Sequence, residues 1–240
     1  VSGELLLALA IDEKPHHRPC RIETSAVKSG EGYVLNGCKT FVLDGHIANK
    51  LVVVARTSGA IDDEAGLSVF LVDAAAEGVS INRSWMVDSR NSAMLSLNNV
   101  KVGADALLGA EGDAYTSLTR VLDIGRIGIA AEMLGSMQQA FEITLDYLKQ
   151  REQFGVLIGS FQGLQHRAAE MYSEIELCKS AVRAALAALD DADKNDADIA
   201  EFASIAKAKL SEVATLVSNE AVQMHGGIGM TDEYDIGFYM

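Results

Sequence analysis

Arg151-Glu-Gln-Phe-Gly155 breaks a long helical pattern in two. Before it, Leu118, Val121, Leu122, Met133, Leu134, Met137, Phe141, Leu145 and Leu148 recur at spacings dominated by three and four. After it, Leu164, Ala168, Met171, Tyr172, Ile175, Cys178, Val182, Ala185 and Leu189 do the same. That period predicts two amphipathic helices, with Gly155 and Gly159 marking the turn between them. The turn carries a guanidinium (Arg151), an amide (Gln153) and an aromatic ring (Phe154). Arginine makes forked contacts to phosphate oxygens and aromatic faces stack on flat rings, so the set suits a phosphate joined to a heterocycle. A plainer reading has Arg151 satisfying the last carbonyls of a helix and Phe154 plugging the core. The pentapeptide alone favours the plainer reading.

The composition narrows the classes. The 240 residues allow one large or two medium domains, and 49% hydrophobic residues supply a core. A formal net charge of −14, with no local basic patch in the sequence, argues against wrapping nucleic acid. Three scattered cysteines, Cys20, Cys38 and Cys178, form no Cys-x-x-Cys or Cys/His metal spacing. They suit a reducing compartment such as the cytoplasm. No apolar run reaches the length of a membrane span, and there is no signal-peptide pattern. Val1 at the start, and Phe238-Tyr-Met240 inside an apolar pattern that has just begun, suggest a piece of a longer chain.

Residues 1–110 read as strands. Leu5–Ile11 is a continuous apolar run. Arg21–Val27 and Tyr33–Cys38 flank the polar turn Lys28-Ser-Gly-Glu-Gly32. Thr40–Leu43, Leu51–Ala55, Leu67–Val72, Val79–Met86 and Ala93–Val100 follow, with glycines between them. Short strands at this spacing predict a compact β-barrel or sandwich. The boundary falls near Leu108-Gly109. Residues 111–240 read as helices at about Ala114–Lys149, Phe161–Leu189 and Ile199–Met224. The acidic stretch Asp190–Asp198 reads as a solvated loop. A fourth helix, capped by Thr231 with Asp232 and Glu233 in its first turn, starts and is cut short. Small residues on the first helix (Gly125, Gly128, Ala130, Ala131, Gly135) would let a neighbouring helix come close. The expected fold is α+β: a β-domain, then an up-and-down four-helix bundle with its fourth helix truncated.

Gln223-Met-His-Gly-Gly-Ile-Gly229 is the second informative stretch. It follows a helix, so it is a poor dinucleotide fingerprint of the strand-turn-helix kind. A helix C-cap explains Gly226 and Gly227 adequately on its own. Together with Arg151-x-x-Phe-Gly155, however, it resembles the paired motifs of the acyl-CoA dehydrogenase family. Gly32-Tyr-Val-Leu-Asn-Gly37-x-Lys39 is similar to that family's β-hairpin, and Val100–Gly109 to the segment leading into its bundle. The resemblance covers nearly the whole chain, with the family's N-terminal helical domain missing. It implies FAD as cofactor, an acyl-CoA thioester as substrate, electron-transfer flavoprotein as acceptor, and an oligomer, a dimer of dimers, whose flavin sites are shared between subunits. By position, Arg151 would meet the pyrophosphate, and Gln153 and Phe154 the neighbouring flavin nucleotide. Phe161 and Gln162 would follow in the next helical turn. Gln223, Gly226 and Gly227 would contact the AMP end. Asp123 and Arg126 lie where the family contacts CoA, although an i,i+3 surface pair explains them as well. His225 reads as a packed or backbone-bonded histidine.

The departures are equally specific. The family's Thr-Glu-Pro-x-x-Gly-Ser-Asp loop corresponds to Ile11-Asp-Glu-Lys-Pro-His-His-Arg18, which lacks the hydroxyls. The family's Trp-Ile-Thr segment corresponds to Phe41-Val42-Leu43, which keeps an aromatic and loses the hydroxyl. Gly125 stands where some members carry the catalytic glutamate just before Arg126, and no base is assigned to this chain. The resemblance therefore implies a flavin-dependent α,β-dehydrogenation of an acyl-CoA, with this chain as one subunit of a heteromeric enzyme. The alternatives are a self-sufficient homotetramer with its base beyond residue 240, and a non-catalytic assembly subunit.

Overall fold

The computed structural model describes residues 3–240, and the chain divides between Thr119 and Arg120 into two compact units. In the first, strands β1 (Leu7–Ala10), β2 (Ser25–Ser29), β3 (Gly32–Leu43), β4 (Lys50–Arg56), β5 (Leu67–Asp73), β6 (Val79–Trp85), β7 (Asn91–Val102) and β8 (Leu107–Leu108) form one mixed sheet. Its order is β6-β7-β3-β2-β4-β5-β8, with β1 parallel to β4. The β2–β3 hairpin turns at Gly30, which adopts a φ of +61°. Alternating apolar positions on β3, β4, β5 and β7 bury Leu35, Leu51, Val53, Phe70, Leu95 and Val100, and the Tyr33 ring meets Phe70 edge-on at 5.0 Å. Thr40–Leu43 is the end of the long strand β3 rather than a strand of its own. The join is a bulge: Lys39 pairs with Leu95 but Val42 with Ala93, so β3 carries one extra residue.

The second unit holds the long helices α1 (Tyr115–Gln150, entering from the first unit), α2 (Gln162–Asp190) and α3 (Asp196–His225). Positions three and four apart on each helix build one core, from Ile127, Ala130 and Met137 on α1, Met171, Ile175, Cys178 and Val182 on α2, and Ala206, Leu210, Val213 and Val217 on α3. The contacts fix the direction of each helix. Glu174 pairs with Lys209 and Arg167 with Glu220, so α2 and α3 are antiparallel. Phe141 meets Tyr172 between α1 and α2, and a Cβ on Gly159 would strike the Leu148 carbonyl at 2.8 Å, so these two are antiparallel as well. Arg120 pairs with Asp196 while Tyr147 stacks on His225, so α1 and α3 run parallel.

Three local details refine the sequence reading. Asn195 caps α3 in a reciprocal capping box: the Asp198 N–H donates to its side chain at 3.0 Å. Asn195→Ala should therefore lower stability by about 1 kcal/mol, read from the denaturant midpoint followed by far-UV circular dichroism. The expected fourth helix is not an α-helix. Two 3-10 helices, Gly226–Met230 and Asp235–Tyr239, occupy that stretch, and the Thr231 hydroxyl closes the first by donating to the Ile228 carbonyl at 2.8 Å. Four glycines in twelve residues raise the cost of a longer helix there. Finally, among the described residues a Cβ added at Gly125, Gly128 or Gly135 would meet nothing within 4 Å, whereas Ala130 is fully buried in the helical core and Ala131 packs against it.

Candidate functional site

The helix directions bring the C-terminal end of α1, the start of α2 and the C-terminal end of α3 to one end of the bundle. Arg151 follows α1 directly, and Gln153 belongs to the two-residue strand β9 (Glu152–Gln153), which pairs with β10 (Val156–Leu157). The turn between them forces Phe154 to a φ of +58° and Gly155 to +79°. Phe154 is 92% exposed, which overturns its reading as a core plug: the hairpin is too tight for the ring to fold back under α1. Its ring stands edge-on to Phe161 at 6.2 Å, immediately before Gln162 opens α2. The Arg151 backbone is engaged at both groups, its N–H donating to the Tyr147 carbonyl and its carbonyl accepting from Ile158 (both 2.9 Å). The Arg151 side chain is exposed, with no carboxylate partner among the described residues.

The glycine stretch lies at the same end. Gly226 ends α3 with a φ of +65°, a conformation that a side chain would strain, and a Cβ on Gly226 or Gly227 would meet open space. Gln223 is exposed one turn earlier. The Tyr147 hydroxyl donates to the His225 carbonyl at 3.2 Å, its ring stacks on the imidazole at 4.4 Å, and Tyr234 meets both rings edge-on. His225 Nδ1 donates to the Ala221 carbonyl at 2.7 Å, so the imidazole is packed and backbone-bonded. These contacts lock the glycine stretch to α1 beside the arginine hairpin.

Asp123 and Arg126 are not part of this group. They lie about 40 Å back along α1, at 1.5 Å per residue. Asp123 is buried and its carboxylate accepts from the Arg126 guanidinium, which is more than a third exposed. A buried carboxylate is not the free surface pair that the spacing alone allowed.

The first unit contains a separate arrangement that the sequence did not reveal. Lys39 is fully buried and its ammonium donates to the Ile11 carbonyl (3.0 Å) and to Glu13 Oε1 (2.7 Å). The Glu13 carboxylate also accepts from the N–H groups of Glu23 (2.6 Å) and Thr24 (2.9 Å). Burial acts to raise the Glu13 pKa, but the Lys39 charge and these hydrogen bonds outweigh it and hold the carboxyl below its ordinary value. Burial likewise pushes Lys39 down to about 8, against the pull of Glu13. The folded chain thus releases the Lys39 proton before the unfolded chain does. The Lys39 contribution to stability should rise from about pH 8 to its ordinary 10.5. Urea midpoints at pH 8 and pH 10, compared between the native chain and Lys39→Met, test that sign. Within the bulge, Phe41 sits at a φ of +52° and is 59% exposed. Thr40 Oγ1, His46 Nδ1 and Asn91 Oδ1 are buried with no partner among the described residues. Buried polar atoms of this kind mark a place where water or a ligand completes the structure. A cavity of about 320 Å³, lined by Asp12, Glu13, Lys14, His16, Arg18 and Arg21, opens beside the loop that Lys39 holds.

The chain thus joins a mixed-sheet unit to a helical unit that carries an arginine–aromatic hairpin and a glycine turn at one end of its helices. Residues 18–100 match the acyl-CoA dehydrogenase middle domain and residues 114–240 the acyl-CoA dehydrogenase C-terminal domain. The chain belongs to the acyl-CoA dehydrogenase family, whose members are FAD flavoproteins. It is 33% identical to the short/branched chain specific acyl-CoA dehydrogenase of Bos taurus mitochondria, over 91% of this chain and 50% of that protein. It is 31% identical to caffeyl-CoA reductase-Etf complex subunit CarC of Acetobacterium woodii, over 98% of this chain and 62% of that protein. An acyl-CoA dehydrogenase structure from Geobacillus kaustophilus superposes with a TM-score of 0.91 at 33% identity, over 99% of this chain and 63% of the other. The chain thus spans 50% to 62% of the length of these two curated relatives. No helix among the described residues is long and apolar enough to cross a membrane.

The bundle end fits the family's cofactor. It offers an unpaired guanidinium for a pyrophosphate, exposed aromatic rings for a heterocycle, and side-chain-free backbone with open space above it for close approach.

Proposed function

We propose that this chain is a subunit of an FAD-dependent acyl-CoA dehydrogenase, and that its bundle end holds the nucleotide half of an FAD shared with a neighbouring subunit. The observation that carries this reading is the gathering of Arg151, Phe154, Phe161, Gln162, Gln223, Gly226 and Gly227 at one end of three helices. In this reading Arg151 neutralises the pyrophosphate, Gln153 and Phe154 cover the adjoining nucleotide, and Gln223, Gly226 and Gly227 bear on the AMP end. Asp123 orients Arg126 towards the CoA thioester. Bound FAD supplies the hydride acceptor for α,β-dehydrogenation. The carboxylate that removes the α-proton is not assigned to this chain, because Gly125 occupies the position on α1 where a glutamate would serve.

Two neighbours satisfy the shared site. Leu43 and the hydroxyl-free loop Ile11–Arg18 favour a paralogous subunit that seats the flavin ring, giving a heteromer. The exposed Phe41 and the partnerless polar atoms of Thr40, His46 and Asn91 favour a second copy of this chain. Electron-transfer flavoprotein is the expected acceptor in either arrangement, in keeping with the Etf complex named for the Acetobacterium relative. The test is reduction of that acceptor by the purified oligomer across a panel of acyl-CoA thioesters. Turnover of at least one is expected, and flavin-loaded protein that reduces the acceptor with none would remove the dehydrogenase assignment.

Phe154 gives a second test. A non-glycine residue in the left-handed region costs about 1–2 kcal/mol, and a ring this exposed recovers little of that by burial. Asparagine tolerates the conformation. Phe154→Asn should raise the stability of the flavin-free chain by up to about 1 kcal/mol while weakening FAD binding. A variant that is more stable and binds FAD unchanged would show that the ring has no part in the site.

A further inference from the structure

We infer that Lys39 is a positioning residue for the flavin-ring face of this chain: through Glu13 it fixes the loop Ile11–Arg18 and keeps the Phe41 ring turned outward. The inference rests on the flavin reading above and adds the device that shapes one face of the site. In a regular strand, Lys39 and Phe41 would point to the same side of the sheet. Lys39 points inward and is among the largest fully buried side chains of the described residues, whereas Phe41 is 59% exposed. The extra residue between the Lys39–Leu95 and Val42–Ala93 pairs produces the difference, since a bulge re-aims the side chain beside it.

The bulge is held from the loop side. The Thr40 N–H donates to the Asp12 carbonyl at 2.7 Å, so its bond leaves the sheet ladder for the loop. One residue earlier, the Lys39 ammonium grips Ile11 and Glu13. Glu13 in turn accepts from Glu23 and Thr24, so a single carboxylate closes the loop at both ends. Both oxygens of the Glu13 carboxylate are engaged, and a buried charge pair of this kind fixes geometry more than it adds stability. Without the ammonium, Glu13 has no cation, the loop loses its inner anchor, and the left-handed Phe41 has less to hold it against relaxation into the sheet.

The experiment uses the flavin-loaded oligomer and compares FAD with ADP, which carries the nucleotide end but no flavin ring. Lys39→Met keeps the length of the side chain and removes the charge. It should weaken FAD about tenfold, leave ADP affinity unchanged, and blur the vibronic shoulders of the bound flavin's visible band. Glu13→Gln, a milder change that keeps the shape, should act in the same direction if Lys39→Met does not fold. A general structural role would lower FAD and ADP affinity together. Equal losses for both ligands, or unchanged FAD affinity in a folded variant, would overturn the inference and leave the flavin reading intact. If the native oligomer binds ADP but no FAD, both fail.

Discussion

Replacing Arg151 by alanine should empty the flavin site. The guanidinium is exposed at the tip of α1, unpaired, and anchored through its backbone on both sides, so its loss should not disturb the bundle. Charge-assisted, forked hydrogen bonds to phosphate contribute roughly 1.5–3 kcal/mol each in net terms. FAD affinity should therefore fall about ten- to hundredfold, read as flavin absorbance per subunit after gel filtration. Arg151→Lys keeps the charge but not the fork and should fall between the two. The melting temperature of the flavin-free chain should not move. Unchanged occupancy in Arg151→Ala would remove Arg151 from the site.

The second large effect is structural. Arg56 closes strand β4, and its five guanidinium N–H groups are shared among six carbonyls, those of Cys20, Ile22, Ser58, Ile61, Ala65 and Asp63, at nitrogen–oxygen distances of 2.9 to 3.2 Å. One side chain thus gathers two irregular segments, 20–22 and 58–65, which are otherwise joined by the Ile22 N–H donating to the Ile61 carbonyl at 3.1 Å. Arg56→Met keeps the stem and removes every donor. Partial rehydration of the exposed carbonyls will soften the loss, so the expected cost is about 2–4 kcal/mol. In calorimetry of the full chain this should appear as a first-unit transition lowered by roughly 10 °C, with the helical transition in place. A thermogram identical to the native one would show that the two segments stand without it.

The helices were legible from the sequence because each buries one stripe. Leu148, Met171 and Val182 sit at helical intervals, and the observed ends of α1 and α2 lie within a residue or so of the expected ones. The hairpin Ser25–Leu43 was legible for a similar reason, with glycine in a polar turn between two apolar runs. Strand order was not, because β1 pairs in parallel with β4 and nothing local encodes a partner so far along the chain. The fourth helix was over-read: Thr231 followed by two acids looks like a cap, but the surrounding glycines keep the segment in 3-10 turns. At the bundle end, residue types gave the chemistry, while the helix directions that gather those residues depend on contacts such as Tyr147 with His225. Phe154 was ambiguous because a hydrophobic residue signals burial unless the turn geometry is known. Lys39 and Glu13 were missed for the opposite reason. A lysine in a strand reads as solvated, and only the register of β3 against β7 shows that it turns inward while Phe41 turns out.

The most direct test of the shared flavin site is the visible absorption spectrum of the protein, purified alone and co-expressed with a paralogous acyl-CoA dehydrogenase subunit. The account predicts a flavin band near 450 nm, a general property of oxidised flavins, in at least one of the two preparations, and its loss on Arg151→Ala in the same preparation. A band only with the paralogue would assign the ring's seat to that subunit, and a band in the chain alone would assign it to a second copy. Colourless protein in both preparations, after reconstitution with excess FAD, would contradict the account.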